Sequence, residues 1–200
     1  MKKIAVFISG NGSNLQVLID EIHKKYGIIN VVISNTADAY GLKRAQDNNI
    51  KNFVLDTKQD DYDKDVLKLL EENSIELIVL AGYLKILSTK IIEKYANRIV
   101  NIHPSLIPSF CGDGFYGIKV HKKVIEYGVK VTGATVHFVD EGTDTGPIIM
   151  QDIAEVCYED NPESLQKKVL QVEHDLLYKC IKKICEDKII VKNRKVKILS

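Results

Sequence analysis

Several scarcities in this 200-residue chain narrow what it can be. Neither sign of charge is in excess: 28 Lys and Arg stand against 27 Asp and Glu, a formal net charge of +1. No global field therefore draws the chain to nucleic acid or to an anionic membrane, and neither is expected as a partner; an anionic ligand must be gripped locally. Cysteine occurs four times, at 111, 157, 180 and 185, with no C-x-x-C pair and no histidine at zinc-ligand spacing. This reads as reduced thiols in a cytoplasmic protein, with no metal expected. Long apolar runs are missing. The N-terminal "KIAVFIS" ends at Gly10-Asn11-Gly12 after about six apolar positions, too short for a signal-peptide core or a membrane span. There is no repeat, low-complexity tract or linker. With 45% apolar residues, the chain is long enough for one substantial core, so one domain over 1–200 is expected.

What is present is a regular alternation. Short β-branched runs, "KIAVFIS" (3–9), "IINVVIS" (28–34), "NFVL" (52–55), "ELIVLAG" (76–82) and "RIVNI" (98–102), are separated by helical patterns near 14–25, 40–49, 61–73 and 88–95. Continuous apolar strands divided by helices predict a parallel sheet covered on both faces, so the first half reads as a doubly wound, Rossmann-like α/β unit. After a helix near 117–127 come two extended segments, 129–139 and 147–156. "DEGTDTG" between them is too short for a crossover helix and makes them antiparallel neighbours. The predicted sheet is therefore mixed. A long helix over 162–187 and a terminal hairpin around Lys192-Asn193-Arg194 complete the chain.

Four stretches go beyond core building. "ISGNGSNLQVLI" (8–19) is a strand, a glycine turn and a helix start, in which Gly12 permits close backbone approach and Ser13 and Asn14 are placed to cap a helix. Its free amides and positive dipole end suit a phosphate. Leu15 stands where a dinucleotide fingerprint needs its third glycine, no P-loop lysine follows, and the second strand ends in Ser34-Asn35 without an acid for a ribose, so a nicotinamide cofactor is not expected. "NIHPSLIP" (101–108) sets Asn101 and His103 at the carboxyl end of a central strand, where open α/β sheets bind ligands. Pro104 and Pro108 restrict the turn. The histidine can relay a proton and the amide can donate to an oxyanion. "HFVDEGTDTGP" (137–147) offers several acids; Asp144, in D-x-G-P, would raise the proton affinity of His103 if the two turns meet. Glu173, finally, lies on the apolar stripe of the last helix beside Val169, Leu176 and Leu177. Buried there it needs a partner, either a lysine such as Lys179 or Lys183 or a ligand's amine.

Together with "SNTADAYGLKRA", "LAGYLKILS" and "QVEHDLLY", these motifs make the whole chain resemble the phosphoribosylglycinamide formyltransferase family, folate-dependent transferases of purine (IMP) biosynthesis. The resemblance implies the formyltransferase fold, with a nucleotide-binding half over 1–100 and a catalytic and folate-binding half over 101–200. It also implies 10-formyltetrahydrofolate as cosubstrate and glycinamide ribonucleotide as acceptor. Asn101, His103 and Asp144 match the catalytic trio, with Asp144 keeping His103 cationic. Gly12, Ser13 and Asn14 match the phosphate turn, and Glu173 an acid that holds the glycinamide amine. Leu84, Lys85, Ile86 and Leu87 match the pterin pocket, and Gln59, Asp140 and Glu141 further folate contacts. Family members often carry Arg at the positions of Lys85 and Gln59, and residues 110–117, "FCGDGFYG", depart from the shorter loops of the family. The other readings are a related formyltransferase or deformylase with another acceptor, which usually carry an extra domain not expected here, and a noncatalytic nucleotide- or folate-binding module. A monomer or homodimer is expected.

Overall fold

The computed structural model describes residues 1–199. Its first strand, β1 (Lys2–Ile8), is the centre of the packing: Ile4, Val6 and Ile8 point into one apolar cluster and Ala5 and Phe7 into another. That is the period-two alternation of a strand buried on both faces. Phe7 is fully buried and contributes roughly 1.5–3 kcal/mol by that burial.

The chain continues through α1 (Ser13–Glu21), β2 (Gly27–Ser34), α2 (Tyr40–Asp47), β3 (Lys51–Val54), α3 (Tyr62–Glu72), β4 (Leu77–Leu80), α4 (Thr89–Lys94) and β5 (Ile99–His103). It then passes through α5 (Ile118–Tyr127), β6 (Val131–Phe138), β7 (Ile148–Glu155), α6 (Pro162–Cys185), β8 (Ile189–Lys192) and β9 (Lys195–Ile198). Seven strands form one sheet in the order β3-β2-β1-β4-β5-β6-β7, and β8 and β9 pair separately. The pairs from β3 to β5 are parallel, whereas β5–β6 and β6–β7 are antiparallel. The predicted mixed sheet is thus the observed one.

Differences from the predicted elements lie at their ends. The first helix, expected to reach 25, stops at Glu21 because the chain reverses through Lys24 at φ 63. The last, expected to reach 187, stops at Cys185, ahead of Asp187 at φ 57. Its start is well specified: Asn161 accepts from the Ser164 amide at 2.9 Å, Ser164 Oγ accepts from the Asn161 amide at 3.0 Å, and Pro162 opens the helix. That reciprocal cap fixes where α6 begins.

The topology positions the site. From β1 the chain winds outward to β2 and β3, then returns to β4 on the other side of β1. This reversal leaves a crevice at the carboxyl ends of the strands. The glycine turn after β1, the loop after β4 and the "NIHPSLIP" turn at the end of β5 all open onto it. Among the described residues no helix is long and apolar enough to cross a membrane.

Candidate functional site

A cleft of about 760 Å³ runs over this edge, lined by residues from both halves of the sequence. Part of its lining is the turn after β1. Gly12 takes a left-handed φ of 74, and a side chain there would place its Cβ 2.7 Å from the Gly41 Cα. Only glycine allows α2 to pack this close. Gly12 itself is the residue preceding α1, and no side chain caps the helix. The expectation that Ser13 and Asn14 cap it is corrected: they are its first two residues. The consequence for an anion remains, because the first amides of a helix have no acceptor within it and carry the positive end of its dipole. Asn11 and Ser13 line the cleft.

Asn14 is buried and turns inward, donating from Nδ2 to Glu173 Oε2 at 2.9 Å. Neither expected lysine reaches Glu173: Lys179 lies 3.8 Å from Asp175, and Lys183 donates to the Leu199 carbonyl at 3.2 Å. With no cation beside it, burial pushes the Glu173 carboxyl up to about 7, against a smaller downward pull from the Asn14 N–H.

At the end of β5, antiparallel pairing with β6 sets Asn101 opposite His137 and His103 opposite Thr135. Asn101 Nδ2 lies 3.1 Å from His137 Nε2 and 3.4 Å from Asp144 Oδ1. Asp144 Oδ2 lies 3.5 Å from His103 Nδ1 and accepts from the Gly112 amide at 3.0 Å, while Asp144 Oδ1 lies 3.5 Å from His137 Nε2. The three residues singled out in the sequence therefore meet. Asp144 is in the left-handed region, φ 58. Two residues on, a Cβ at Gly146 would sit 1.8 Å from the Phe138 carbonyl oxygen. The glycine of D-x-G-P is thus required by close approach.

The electrostatics correct one expectation. Burial lowers the His103 pKa and outweighs the opposing pull of Asp144 and the Phe110 carbonyl, so Asp144 does not by itself hold His103 cationic in the free protein. Its Nε2 lies 3.0 Å from the Phe110 carbonyl; a carbonyl only accepts, so Nε2 is the donor there. For Asp144 burial acts upward, but His137, His103 and the Gly112 amide together hold it below the ordinary aspartate value. It is ionised at neutral pH.

The turn itself is held by Thr135, whose Oγ1 donates to the Ser105 carbonyl at 2.7 Å and accepts from the Ile107 amide at 3.1 Å. Residues 110–117 fold over the trio through Phe110 and Gly112, and Asp113 accepts from Thr143 Oγ1 at 2.9 Å.

Leu84, Lys85, Ile86 and Leu87, in the loop after β4, also line the cleft, and Asp140 joins them. Leu84 and Ile86 are 57% and 75% exposed, an apolar mouth. Glu141 lines an adjacent hollow of about 420 Å³ instead. Gln59 lies outside both, in the loop between β3 and α3, its amide bonded to the Asp56 carbonyl at 3.2 Å. The structure does not bring it to the site.

Sequence reasoning overlooked His137, Thr135, Gln166 and Lys167. The first two carried a signal, since alternate residues of a strand antiparallel to β5 must face Asn101 and His103. The others share the cleft with Leu170 and Glu173 on α6, the i, i+4, i+7 spacing of one helical face. Among the described residues no cluster of three or more His, Cys, Asp and Glu side chains is arranged to hold a metal.

This geometry agrees with what the chain is similar to. The family model described as formyl transferase matches residues 2–181. A phosphoribosylglycinamide formyltransferase of Haemophilus influenzae is 40% identical over 96% of this chain and 92% of its own length. A chloroplastic one of Vigna unguiculata is also 40% identical; the match covers 94% of this chain but only 62% of that longer protein. The crystal structure of the phosphoribosylglycinamide formyltransferase of Anaplasma phagocytophilum superposes with a TM-score of 0.92 at 37% identity, covering all of this chain and 94% of that one. The chain belongs to the formyl transferase family, in its phosphoribosylglycinamide formyltransferase branch.

Proposed function

We propose that the protein transfers the formyl group of 10-formyltetrahydrofolate to the amine of N1-(5-phospho-D-ribosyl)glycinamide, releasing the N2-formyl product and tetrahydrofolate, as a cytoplasmic step of purine synthesis. The observation that carries this reading is the meeting of Asn101, His103 and Asp144 in the wall of one cleft. The same cleft is lined by a helix N-terminus suited to a phosphate and by exposed apolar side chains suited to a pterin. Both halves of the sequence line this one cleft, the loop after β4 from the first and α6 from the second.

Each group has a task in this reading. Gly12 and Ser13 present backbone amides to the phosphate. Glu173, tied to Asn14, accepts from the donors of the ribosylglycinamide. Leu84, Lys85, Ile86, Leu87 and Asp140 hold the folate. The amine attacks the formyl carbon and the carbonyl oxygen becomes an oxyanion. Asn101 donates to that oxygen with the N–H that now makes its long 3.4 Å contact with Asp144. The bond from the carbon to N10 then breaks, and the proton lost by the amine must reach N10. His103 can take that proton and pass it on, and the ionised Asp144 beside it stabilises the imidazolium. The histidine therefore works as a proton shuttle.

The test is product formation by purified protein given both substrates. Formation of tetrahydrofolate and formylated ribonucleotide in equal amounts is expected. Release of formate without acylation of the amine would overturn the reading.

A further inference from the structure

The turn that faces the phosphate is gripped from outside the cleft by a single side chain of α2, and we infer that Arg44 is a positioning residue for the ribonucleotide phosphate. This deepens the function proposed above and rests on it. Arg44 Nε donates to the Asn11 carbonyl at 2.9 Å and Nη2 to Asn11 Oδ1 at 3.1 Å, while Nη1 donates to Gln16 Oε1 at 3.1 Å. The guanidinium also lies over the Tyr40 ring, 5.0 Å from its centre. All three nitrogens are engaged with protein, so Arg44 acts on the phosphate through Asn11, not by contact.

The grip is needed where it is. Asn11 stands between Gly10 and Gly12, and a glycine on each side leaves its backbone little intrinsic restraint. Two other contacts hold the turn: the Gly41 amide donates to the Gly10 carbonyl at 3.1 Å, and Gly12 packs on Gly41. Both fix the flanks and leave the Asn11 side chain free. The arginine fork takes the Asn11 main chain and side chain together, and its bond to Gln16 ties both to the first turn of α1. The amides of α1 and the edge of the turn thereby form one preset surface, behind which a permanent positive charge adds to the helix dipole. Gln16 is held in turn, donating to Asp20 Oδ1 at 2.9 Å.

Steady-state kinetics of Arg44→Ala and Arg44→Lys, with both substrates varied, test the inference. For Arg44→Ala the KM for the ribonucleotide should rise about tenfold, the factor for loss of one good polar contact. kcat and the folate KM should stay within about twofold, a split expected when only uniform binding of one substrate is lost. Arg44→Lys keeps the charge but lacks the planar fork, so its ribonucleotide KM should lie between the two. Inorganic phosphate, as an inhibitor competing with the ribonucleotide, should lose affinity in the same order. Equal changes in both KM values, or an unchanged ribonucleotide KM in a folded variant, would overturn the inference. If Arg44→Ala does not fold, the lysine variant decides by the same split. Failure of the wild-type protein to formylate the ribonucleotide would instead overturn the function itself.

Discussion

Replacing Glu173 with glutamine should make the ligand-free protein more stable above pH 7 while weakening its hold on the ribonucleotide. The carboxyl rises from 4.5 to about 7 because it is buried without a cation. The folded state therefore holds this proton more tightly than the unfolded chain. The group's contribution is fully present below about 4.5 and is lost as pH rises through about 7. A difference of about 2.5 pH units corresponds to roughly 3 kcal/mol. Glutamine keeps an oxygen for the Asn14 N–H and carries no charge at any pH, so at pH 8 the variant escapes most of that penalty. For a domain of this size roughly 2–4 °C accompany each kcal/mol, and a gain of about 5 °C or more is expected after allowance for the new amide hydrogens. At pH 5 the folded proteins are both neutral and only the unfolded glutamate is largely ionised, so the difference should shrink to about 1 kcal/mol, roughly 2–4 °C. The assay is thermal unfolding of both proteins at pH 5, 6, 7 and 8, with calorimetric binding of the ribonucleotide at pH 8. A melting difference that does not grow with pH, or a variant less stable than wild type at pH 8, would refute the reasoning.

His103→Ala should lower kcat on the order of 10² to 10⁴, the scale of a positioned acid or base. Asp144→Asn should lower the His103 pKa further, because the one upward charge beside it is removed. NMR titration checks this, and the double variant should be little worse than the more damaging single one, whereas fully multiplicative losses would separate the two residues. Asn14→Asp would put a second carboxyl against Glu173 and a negative charge beside the phosphate turn. The ribonucleotide KM should rise more than the folate KM, and equal rises would contradict the placement. Gly12→Ala forces a Cβ to within 2.7 Å of the Gly41 backbone at φ 74; denaturant unfolding should show a loss of roughly 1–3 kcal/mol, and an unchanged midpoint would mean that α2 does not pack on the turn.

The sequence by itself determined what depends on local patterning. Apolar β-branched runs separated by amphipathic stretches specify a sheet with helices on both faces, and a connection as short as residues 140–146 forces β6 and β7 to be antiparallel. The turn after β1, the prolines after His103 and the D-x-G-P after Phe138 mark the backbone's special positions, and with them Asn101, His103 and Asp144. Tertiary structure decided everything that depends on what packs against what. The partner of Glu173 is Asn14, 159 residues away, and not a lysine further along its own helix, because α6 lays its apolar stripe, and Glu173 with it, against the start of α1. His137 joins the trio because strand register sets it opposite Asn101, and Gln59 is left out because its loop follows β3, at the far edge of the sheet. The charge of His103 was also beyond the sequence. A neighbouring carboxylate raises its proton affinity and burial lowers it, and only the folded environment fixes which is larger; here it is burial.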